Sequence, residues 1–231
     1  MNTSMKILAL NNIPMLKSLT QDQLATLSDE VEVHKNLKTS LIYDINTPHK
    51  YVYIVYKGVI KLGMIASCGK TLTKDIVYEN ELFGENVFGK QTSTSEFAEV
   101  MADATYFAIP VDHFKQLVME NARFASAILS SIVLKLQNLE IRLQNFVFKK
   151  AKERIVNFIC RTGINKGIRI GVNECLINHG MSHKEIAYLT DTSRQTVARI
   201  LSELKREDFI HYGCRKSGKI LIRNFDAVLA S

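Results

Sequence analysis

Short apolar runs separated by turn residues dominate the chain between residues 31 and 110. The runs are three to seven residues long, and Thr47-Pro48, Lys57-Gly58, Gly69 and Gly84 lie in the breaks. Short strands with turn residues between them are typical of an antiparallel sandwich or small barrel. The pattern therefore predicts strands over residues 31–33, 41–43, 51–56, 59–65, 71–77, 97–101 and 105–109.

Helical spacing replaces this pattern after Pro110, and no glycine or proline follows until Gly163. A short helix is predicted over residues 112–120 and a longer one after Asn121. From Ala125 onward, apolar residues recur at alternating steps of four and three, the a/d spacing of a coiled coil, for about three heptads. We call the six larger residues of this stripe the seam: Leu129, Ile132, Leu136, Leu139, Leu143 and Phe146.

The seam predicts a homodimer joined by two copies of the long helix. Lys135 falls at a g position and Glu140 at the following e position, so a parallel two-fold partner would bring opposite charges together. The alternative is a helix that lies along its own barrel and buries the same apolar residues. That packing needs a broader and less regular stripe than the one observed.

Residues 182–205 predict two short helices joined by a tight turn. Ser182 and Glu185 have the spacing of a capping box, so a helix is expected to begin there. It ends near Thr190, because the following Asp, Thr and Ser side chains favour turns and caps. Asp191 lies where such a turn usually needs a left-handed residue, and Thr192 or Ser193 caps the second helix. Its buried stripe is predicted to be Val197, Ile200, Leu201 and Leu204.

The opposite face of the second helix presents Arg194, Gln195 and Arg199. An arginine fork matches guanine O6 and N7, and a glutamine can pair bidentately with adenine. These three residues are therefore predicted to read base edges from a recognition helix in the major groove. The alternative is an ordinary helical hairpin with a solvated charged face.

A second hairpin is predicted over residues 209–222, with its turn at residues 215–218. It would hold Arg215, Lys216 and Lys219 beside a bound duplex, where phosphate contacts fix the register of the protein on the DNA. A helix-turn-helix followed by such a hairpin is a winged helix-turn-helix.

Positive charge is confined to the last third of the chain. Residues 1–148 hold 14 Lys and Arg against 15 Asp and Glu, a net of −1, whereas residues 149–231 hold 16 against 8, a net of +8. This asymmetry is typical of a nucleic-acid-binding module attached to a neutral one. We therefore predict two domains, residues 1–148 with the barrel and dimer helix, and residues 149–231 with the winged helix-turn-helix.

The composition predicts a soluble cytoplasmic protein without a membrane segment. No run approaches the roughly 18 uninterrupted apolar residues of a membrane span, and the first ten residues lack the pattern of a secretory signal. The four cysteines are scattered in a chain large enough to fold without disulfides, which favours free thiols.

The order of barrel, long helix and winged helix-turn-helix resembles the Crp/Fnr superfamily of bacterial transcription regulators over nearly the whole chain. The resemblance is carried by Tyr56-Lys57-Gly58, Gly69-Lys70, Leu82-Phe83-Gly84-Glu85 and residues 192–199. It implies an α+β fold with a cyclic-nucleotide-binding-like barrel, a double-stranded β-helix. It also implies guanine contacts by Arg194 and Arg199. The implied phosphate contacts are Ser182, Ser193 and Thr196, with which we group His183.

The family's effector site maps onto Gly84, Glu85, Ser95 and Glu96. In cyclic-nucleotide binders an Arg-Ser pair clamps the phosphate where Ser95 and Glu96 stand here. A carboxylate beside a cyclic phosphate is repulsive, so we do not expect a cyclic nucleotide. Nor do we expect an iron–sulfur cluster, because the N-terminal stretch that carries its cysteines in the Fnr branch has none. The effector stays open.

The sequence as a whole predicts a homodimeric regulator that binds palindromic double-stranded DNA, contacts RNA polymerase and is not an enzyme. The alternative is a ligand-binding or scaffold protein whose basic domain docks an acidic protein. Cys175, His179 and His183 have ligand-like spacing, but Gly180 and the cap at Ser182 break the helix that would align them. No metal site is predicted.

Overall fold

The computed structural model of the protein describes residues 3–69, 71–89, 93–178, 180–211 and 219–226. The chain divides into two units, Met1–Gln137 and Asn138–Ser231. This division falls inside the long helix, eleven residues before its end at Phe148 and before the domain boundary predicted from the sequence. The last turns of the helix group with the second unit through three side-chain contacts: Asn138 with Arg161, Arg142 with Asp191, and Asn145 with Asn157.

In the described residues of the first unit, six antiparallel strands form one sheet, after the helices Thr3–Asn11 (α1) and Gln21–Glu30 (α2). Hydrogen bonds connect them in the order β1-β6-β3-β4, with β2 paired to β6 and β5 paired to β3. The predicted antiparallel architecture is confirmed, although the path of paired strands is open rather than closed. The strands are Glu32–Asn36 (β1), Leu41–Tyr43 (β2), Tyr51–Ile65 (β3), Thr71–Val77 (β4), Leu82–Phe83 (β5) and Phe97–Pro110 (β6).

Two long strands replace four short ones of the prediction. Strand β3 covers residues 51–56 and 59–65, and β6 covers residues 97–101 and 105–109. Gly58 has φ +101 inside β3, and the register of β3 against β6 shifts on both sides of it. A Cβ at this position would lie 2.5 Å from the carbonyl oxygen of Asp103. Gly58 therefore marks a β-bulge, which bends a strand without ending its pairing.

Two apolar clusters form the core of the first unit. Ile54 and Val55, neighbours in β3, belong to different clusters, as expected for the two faces of a strand. One cluster packs α1, α2 and the helices after β6 against the sheet and includes Phe107, Phe114 and Phe124. The second lies within the sheet and includes Tyr43, Ile60, Leu62, Val77, Phe83 and Val100.

Two helices follow β6, as predicted: Val111–Glu120 (α3) and Ala122–Phe148 (α4). Asn121 separates them and caps α4, because its side-chain oxygen accepts the backbone N–H of Phe124 at 3.0 Å. Its amide nitrogen donates to the carbonyl oxygen of Ser18 at 3.0 Å. Asn121 thereby fixes the start of α4 against the N-terminal helices.

The seam of α4 is exposed in the single chain. Phe124 and Ile128, each one position before a residue of the a/d stripe, are buried in the core instead. The alternative in which the helix lies on its own barrel through the seam is therefore wrong. The exposed fractions are 62% for Leu129, 36% for Ile132, 54% for Leu136, 45% for Leu139, 63% for Leu143 and 54% for Phe146.

By length and composition, α4 is also the one helix in the described part of the chain that could cross a membrane. The sequence does not predict such a segment, because charged residues interrupt the apolar ones. Lys135 and Arg142 bond to other parts of the chain, and the exposed apolar residues follow coiled-coil spacing. We attribute the apolar content of α4 to the seam.

The part of the second unit that the structure describes combines three helices with a small antiparallel sheet. The helices are Ala151–Lys166 (α5), His183–Leu189 (α6) and Arg194–Arg206 (α7), and the strands are Ile168–Arg169 (β7), Cys175–Asn178 (β8), Ile210–His211 (β9) and Lys219–Ile222 (β10). The sheet order is β7-β8-β10-β9. The helix-turn-helix and the two strands of the predicted wing are confirmed, whereas the wing turn at residues 215–218 lies outside the described residues.

Candidate nucleic-acid interface and sensor site

Local hydrogen bonds define the two helices of the helix-turn-helix. The hydroxyl of Ser182 accepts the backbone N–H of Glu185 at 3.3 Å, and the Glu185 carboxylate accepts the backbone N–H of Ser182 at 2.8 Å. Ser193 caps α7 by accepting the backbone N–H of Thr196 at 3.0 Å. Between the helices, Asp191 has φ +52, the left-handed conformation expected at this turn.

Helix α7 has one buried face and one exposed face, as predicted. Val197, Ile200, Leu201 and Leu204 are at most 2% exposed. The predicted base-reading residues Arg194, Gln195 and Arg199 are all exposed near the start of the helix. A guanidinium group in this position can enter a major groove while the apolar face holds the helix on the domain.

A lysine of α5 neutralises acidic residues of the recognition helix. The Lys152 ammonium donates to Glu203 at 2.6 Å and to Glu207 at 2.9 Å, and Glu203 also receives Arg199 at 3.4 Å. These hydrogen bonds raise the pKa of Lys152, and the bond from Lys152 lowers the pKa of Glu203. No sequence pattern indicates this role of Lys152, because 51 residues separate it from Glu203.

The residues predicted to contact phosphate differ in whether their side chains already bond to other groups of the chain. Ser182 and Ser193 are exposed, but each caps a helix, and the Ser193 hydroxyl lies 2.8 Å from that of Thr196. His183 is partly buried, and burial, followed by the nearby Arg194 guanidinium, lowers its pKa. Lys219 is exposed at the start of β10. Arg215 and Lys216 lie outside the described residues.

Two arginines that the sequence analysis did not single out hold the turn between α6 and α7. Arg142 of α4 donates to both carboxylate oxygens of Asp191, at 2.8 and 3.2 Å, and to the carbonyl oxygen of Tyr188 at 2.5 Å. Arg154 of α5 donates to the carbonyl oxygens of Thr190 and Asp191, each at 2.8 Å. We call Arg142 and Arg154 the turn clamp.

The predicted effector residue Glu85 bonds to the long helix. The Lys135 ammonium donates to the Glu85 carboxylate at 2.6 Å and to the carbonyl oxygen of Leu82 at 2.7 Å. Gly84 is buried with φ +82, and a Cβ there would lie 3.1 Å from the Tyr53 ring. Lys135 is therefore engaged within its own chain, which corrects the expected pairing of Lys135 with Glu140 of a partner helix.

Glu96 is buried and also has partners. Its carboxylate accepts Lys74 at 2.6 Å and the Tyr43 hydroxyl at 3.1 Å, and its exposed fraction is 2%. Burial, followed by the Glu96 charge, raises the pKa of Tyr43, so this hydroxyl stays a donor. Ser95, in contrast, is exposed. The structure thus places the four predicted effector residues in different surroundings.

Aromatic side chains pack together in the sheet beside Tyr43, the hydrogen-bond partner of Glu96. Tyr53 stacks on Phe83 with ring centres 4.9 Å apart and on Tyr43 at 5.5 Å, and Tyr106 meets Tyr53 edge-on at 5.9 Å. Burial raises the pKa of Tyr53 to about 12.

Among the described residues, no three His, Cys, Asp or Glu side chains are grouped to hold a metal ion, and His179 lies outside these residues.

Comparison with known protein families identifies both units. Residues 35–121 match the cyclic nucleotide-binding domain family, and residues 153–230 match the Crp-like helix-turn-helix domain family. Both domains occur here in the order predicted from the sequence, joined by a long helix. The chain belongs to the Crp/Fnr superfamily and is a DNA-binding transcription regulator.

Individual relatives support this assignment. The Global nitrogen regulator of Synechococcus elongatus is 23% identical over 183 residues, covering 78% of this chain and 81% of that protein. The CRP-like cAMP-activated global transcriptional regulator of Mycobacterium tuberculosis is 21% identical over 201 residues, covering 86% and 87%. The structure of FixK2 from Bradyrhizobium japonicum has the same fold, with a TM-score of 0.74, 19% identity and coverage of 87% and 96%. These relatives are regulators, which favours this function over an enzyme and over the scaffold alternative.

Proposed function

We propose that the protein binds a palindromic DNA site as a homodimer joined through the seam. The observation that carries this proposal is the exposure of six large apolar residues at coiled-coil spacing on one helix. A two-fold partner would bury them and would present two copies of α7 to successive major grooves about 34 Å apart. Analytical ultracentrifugation tests the dimer, and a sedimentation coefficient that stays monomeric at micromolar concentration would contradict it.

In this dimer Arg194, Gln195 and Arg199 read base edges. Ser182, His183, Ser193, Thr196 and Lys219, together with Arg215 and Lys216, contact phosphates. The support is the exposed face of α7 and the excess of basic residues in the last third of the chain. Base readers and phosphate contacts make separable contributions, because only the former carry sequence information.

Selection of bound duplexes from a random pool tests this assignment. Arg194→Ala is expected to cost about 1–3 kcal/mol at one guanine and to relax the preference there, whereas Lys216→Ala weakens all sequences alike and reduces the salt slope by about one. Equal losses on selected and random DNA for Arg194→Ala would contradict a base-reading role. Steep salt dependence would further separate DNA binding from docking to an acidic protein.

The N-terminal sheet is proposed to sense an effector other than a cyclic nucleotide. The support is Glu96, a buried carboxylate paired to Lys74 where cyclic-nucleotide binders place a cationic clamp. An incoming phosphate would meet this carboxylate and would have to displace it from its partners. Addition of cyclic AMP at millimolar concentration is expected to leave DNA affinity unchanged, and a tightening would contradict the proposal.

Regulators of this class are soluble, cytoplasmic proteins, and we propose the same location for this chain, with RNA polymerase as a further partner. The support is the family assignment. Co-purification of the DNA-bound dimer with RNA polymerase from the cytoplasmic fraction tests both points. Recovery of the protein with the membrane fraction would contradict the first.

A further inference from the structure

The turn clamp connects the seam of α4 to the recognition helix over a short path. Arg142 is the residue before the seam residue Leu143, and the Arg154 guanidinium lies 5.5 Å from the ring centre of the seam residue Phe146. Both arginines bond to Asp191, which precedes the α7 cap Ser193 by two residues. One ion pair and two residues therefore separate the end of the seam from the start of α7.

The contacts of the turn clamp restrict the relative orientation of the groups that they join. Arg142 meets Asp191 through two parallel N–H···O bonds, and such a fork-to-carboxylate pair fixes the relative orientation of its two groups. The side chains of Arg142 and Asp191 are only 20% and 25% exposed, so salt screens the pair less than a surface pair. A lysine at position 142 would keep the charge but lose this planar geometry.

The clamp also stabilises an unfavourable backbone. Asp191 adopts a left-handed conformation that is strained for a residue with a side chain. The last carbonyl groups of a helix also lack the N–H donors that a following turn would supply. Arg142 and Arg154 bond to the carbonyl oxygens of Tyr188, Thr190 and Asp191. The turn angle between α6 and α7 is thus determined by groups on α4 and α5.

We propose that Arg142 is a positioning residue that sets the separation between the two half-sites that the dimer accepts. This inference rests on the proposed homodimer and palindromic site. With the clamp intact, each α7 is held in one direction relative to the last seam residues, Leu139, Leu143 and Phe146, so the dimer selects one half-site spacing. Without it, each α7 keeps its base-reading side chains but samples more directions, and the spacing preference broadens while the preference within a half-site stays.

The experiment measures affinity for duplexes that carry the selected half-sites at the preferred spacing and at one and two base pairs more or less. Arg142→Gln and Asp191→Asn each remove the ion pair, and Arg142→Lys tests the fork geometry. Arg161→Gln is the matched control, since Arg161 also bonds from α5 to α4, at Asn138, but does not touch the turn. Dimer content and thermal melting of every variant are measured in parallel.

The wild-type chain and Arg161→Gln should discriminate strongly against altered spacings. In Arg142→Gln and Asp191→Asn this discrimination should fall by about tenfold or more, because the ion pair contains two charge-assisted hydrogen bonds. The Arg142→Gln/Asp191→Asn double variant should be no worse than Arg142→Gln alone, because that change already removes the ion pair with Asp191 together with the bond to Tyr188. Selection on single half-sites should return the same bases for all variants.

Two results separate failure of this inference from failure of the proposed function. A wild-type chain that is monomeric or shows no base preference would overturn the proposed function and this inference with it. A spacing-selective wild type whose clamp variants lose affinity equally at every spacing would overturn the inference alone. If Arg142→Gln does not fold, Asp191→Asn at unchanged melting temperature decides between the two outcomes.

Discussion

The two units of this protein use their charged side chains in opposite ways. On α7, Arg194 and Arg199 are exposed at the start of the helix, whereas in the N-terminal sheet Glu85 and Glu96 are bonded to Lys135, Lys74 and Tyr43 of the same chain. The exposed charges are available to a partner, and the enclosed ones hold the fold together. The DNA-binding role is therefore readable from residue types, but the effector is not.

This difference has an energetic counterpart. Removing an exposed side chain of α7 leaves no buried group without a partner, so the free energy of unfolding should change little. Removing one member of an enclosed pair leaves a buried donor or charge unsatisfied, which costs stability directly. Substitutions in the two regions should thus be told apart by whether binding or folding changes.

The largest expected effect comes from the other outward-facing surface, the seam. In the proposed dimer, Leu136→Lys places one charge from each protomer in the interface and removes two leucines from it. The expected loss is about 3–6 kcal/mol of association free energy. Sedimentation should show a monomer. The melting temperature of the first unit should be the same as in the wild-type chain. Gln144→Lys, on the same helix but outside the seam, is the control and should remain dimeric.

The enclosed pairs predict a loss of stability. Glu96→Ala removes the acceptor of the buried Tyr43 hydroxyl and the buried carboxylate bonded to Lys74, and we expect the free energy of unfolding to fall by about 2–3 kcal/mol in urea denaturation. The value lies at the lower end for a buried pair, because Lys74 is 34% exposed and can reach water. Glu30→Ala, an exposed carboxylate of the same unit, should change it by less than about 0.5 kcal/mol.

A smaller effect is expected where α5 meets the recognition helix. Lys152→Met frees Glu203 and Glu207, so Glu203 attracts Arg199 more strongly and adds negative charge near the DNA. DNA affinity should fall a few-fold, partly on every sequence through the added charge and partly at the base that Arg199 reads. Glu203→Gln should have the opposite sign and tighten binding, and a loss of affinity in both variants would show that Lys152 acts only through packing.

The smallest effect is a pH dependence at His183. Its pKa is lowered in the free protein, so at pH 7 the imidazole is neutral. A phosphate beside it would favour the charged form, so binding takes up a proton and affinity should rise as the pH falls from about 7 to 6. The same lowered pKa means that its contribution to folding is present above about pH 6.5 and is lost below it.

Fluorescence titrations of DNA binding across this pH range measure the effect. His183→Gln should flatten the slope of affinity against pH while leaving the half-site preference unchanged. An identical slope in the variant would assign the pH dependence to another group and remove His183 from the phosphate contacts.

The structure also shows where the pattern along the chain was misleading. The apolar pattern predicts a break between two strands at Gly58, because glycine is common in turns. In the fold it forms a bulge inside β3, because the backbone of β6 at Asp103 and Ala104 approaches too closely for any side chain. A turn and a bulge have the same local residue preference, so only the partner strand distinguishes them.

The sequence by itself determined the features that depend on neighbouring residues. These features join residues three or four positions apart, and the periodicity of a helix makes such contacts predictable. They are the cap at Ser182 and Glu185, the cap at Ser193 and the buried stripe of α7. The seam follows from the same periodicity. Its exposure in the single chain is what that spacing leads one to expect.

Tertiary structure alone decided which charges are enclosed and which are presented. Lys135 and Glu85 are 50 residues apart, Arg142 and Asp191 are 49 apart, and Lys74 and Glu96 are 22 apart. No periodicity connects such pairs, because the intervening strands, loops and helices bring them together only after folding. The recognition surface could therefore be predicted from the sequence, whereas the charged pairs that orient it could not.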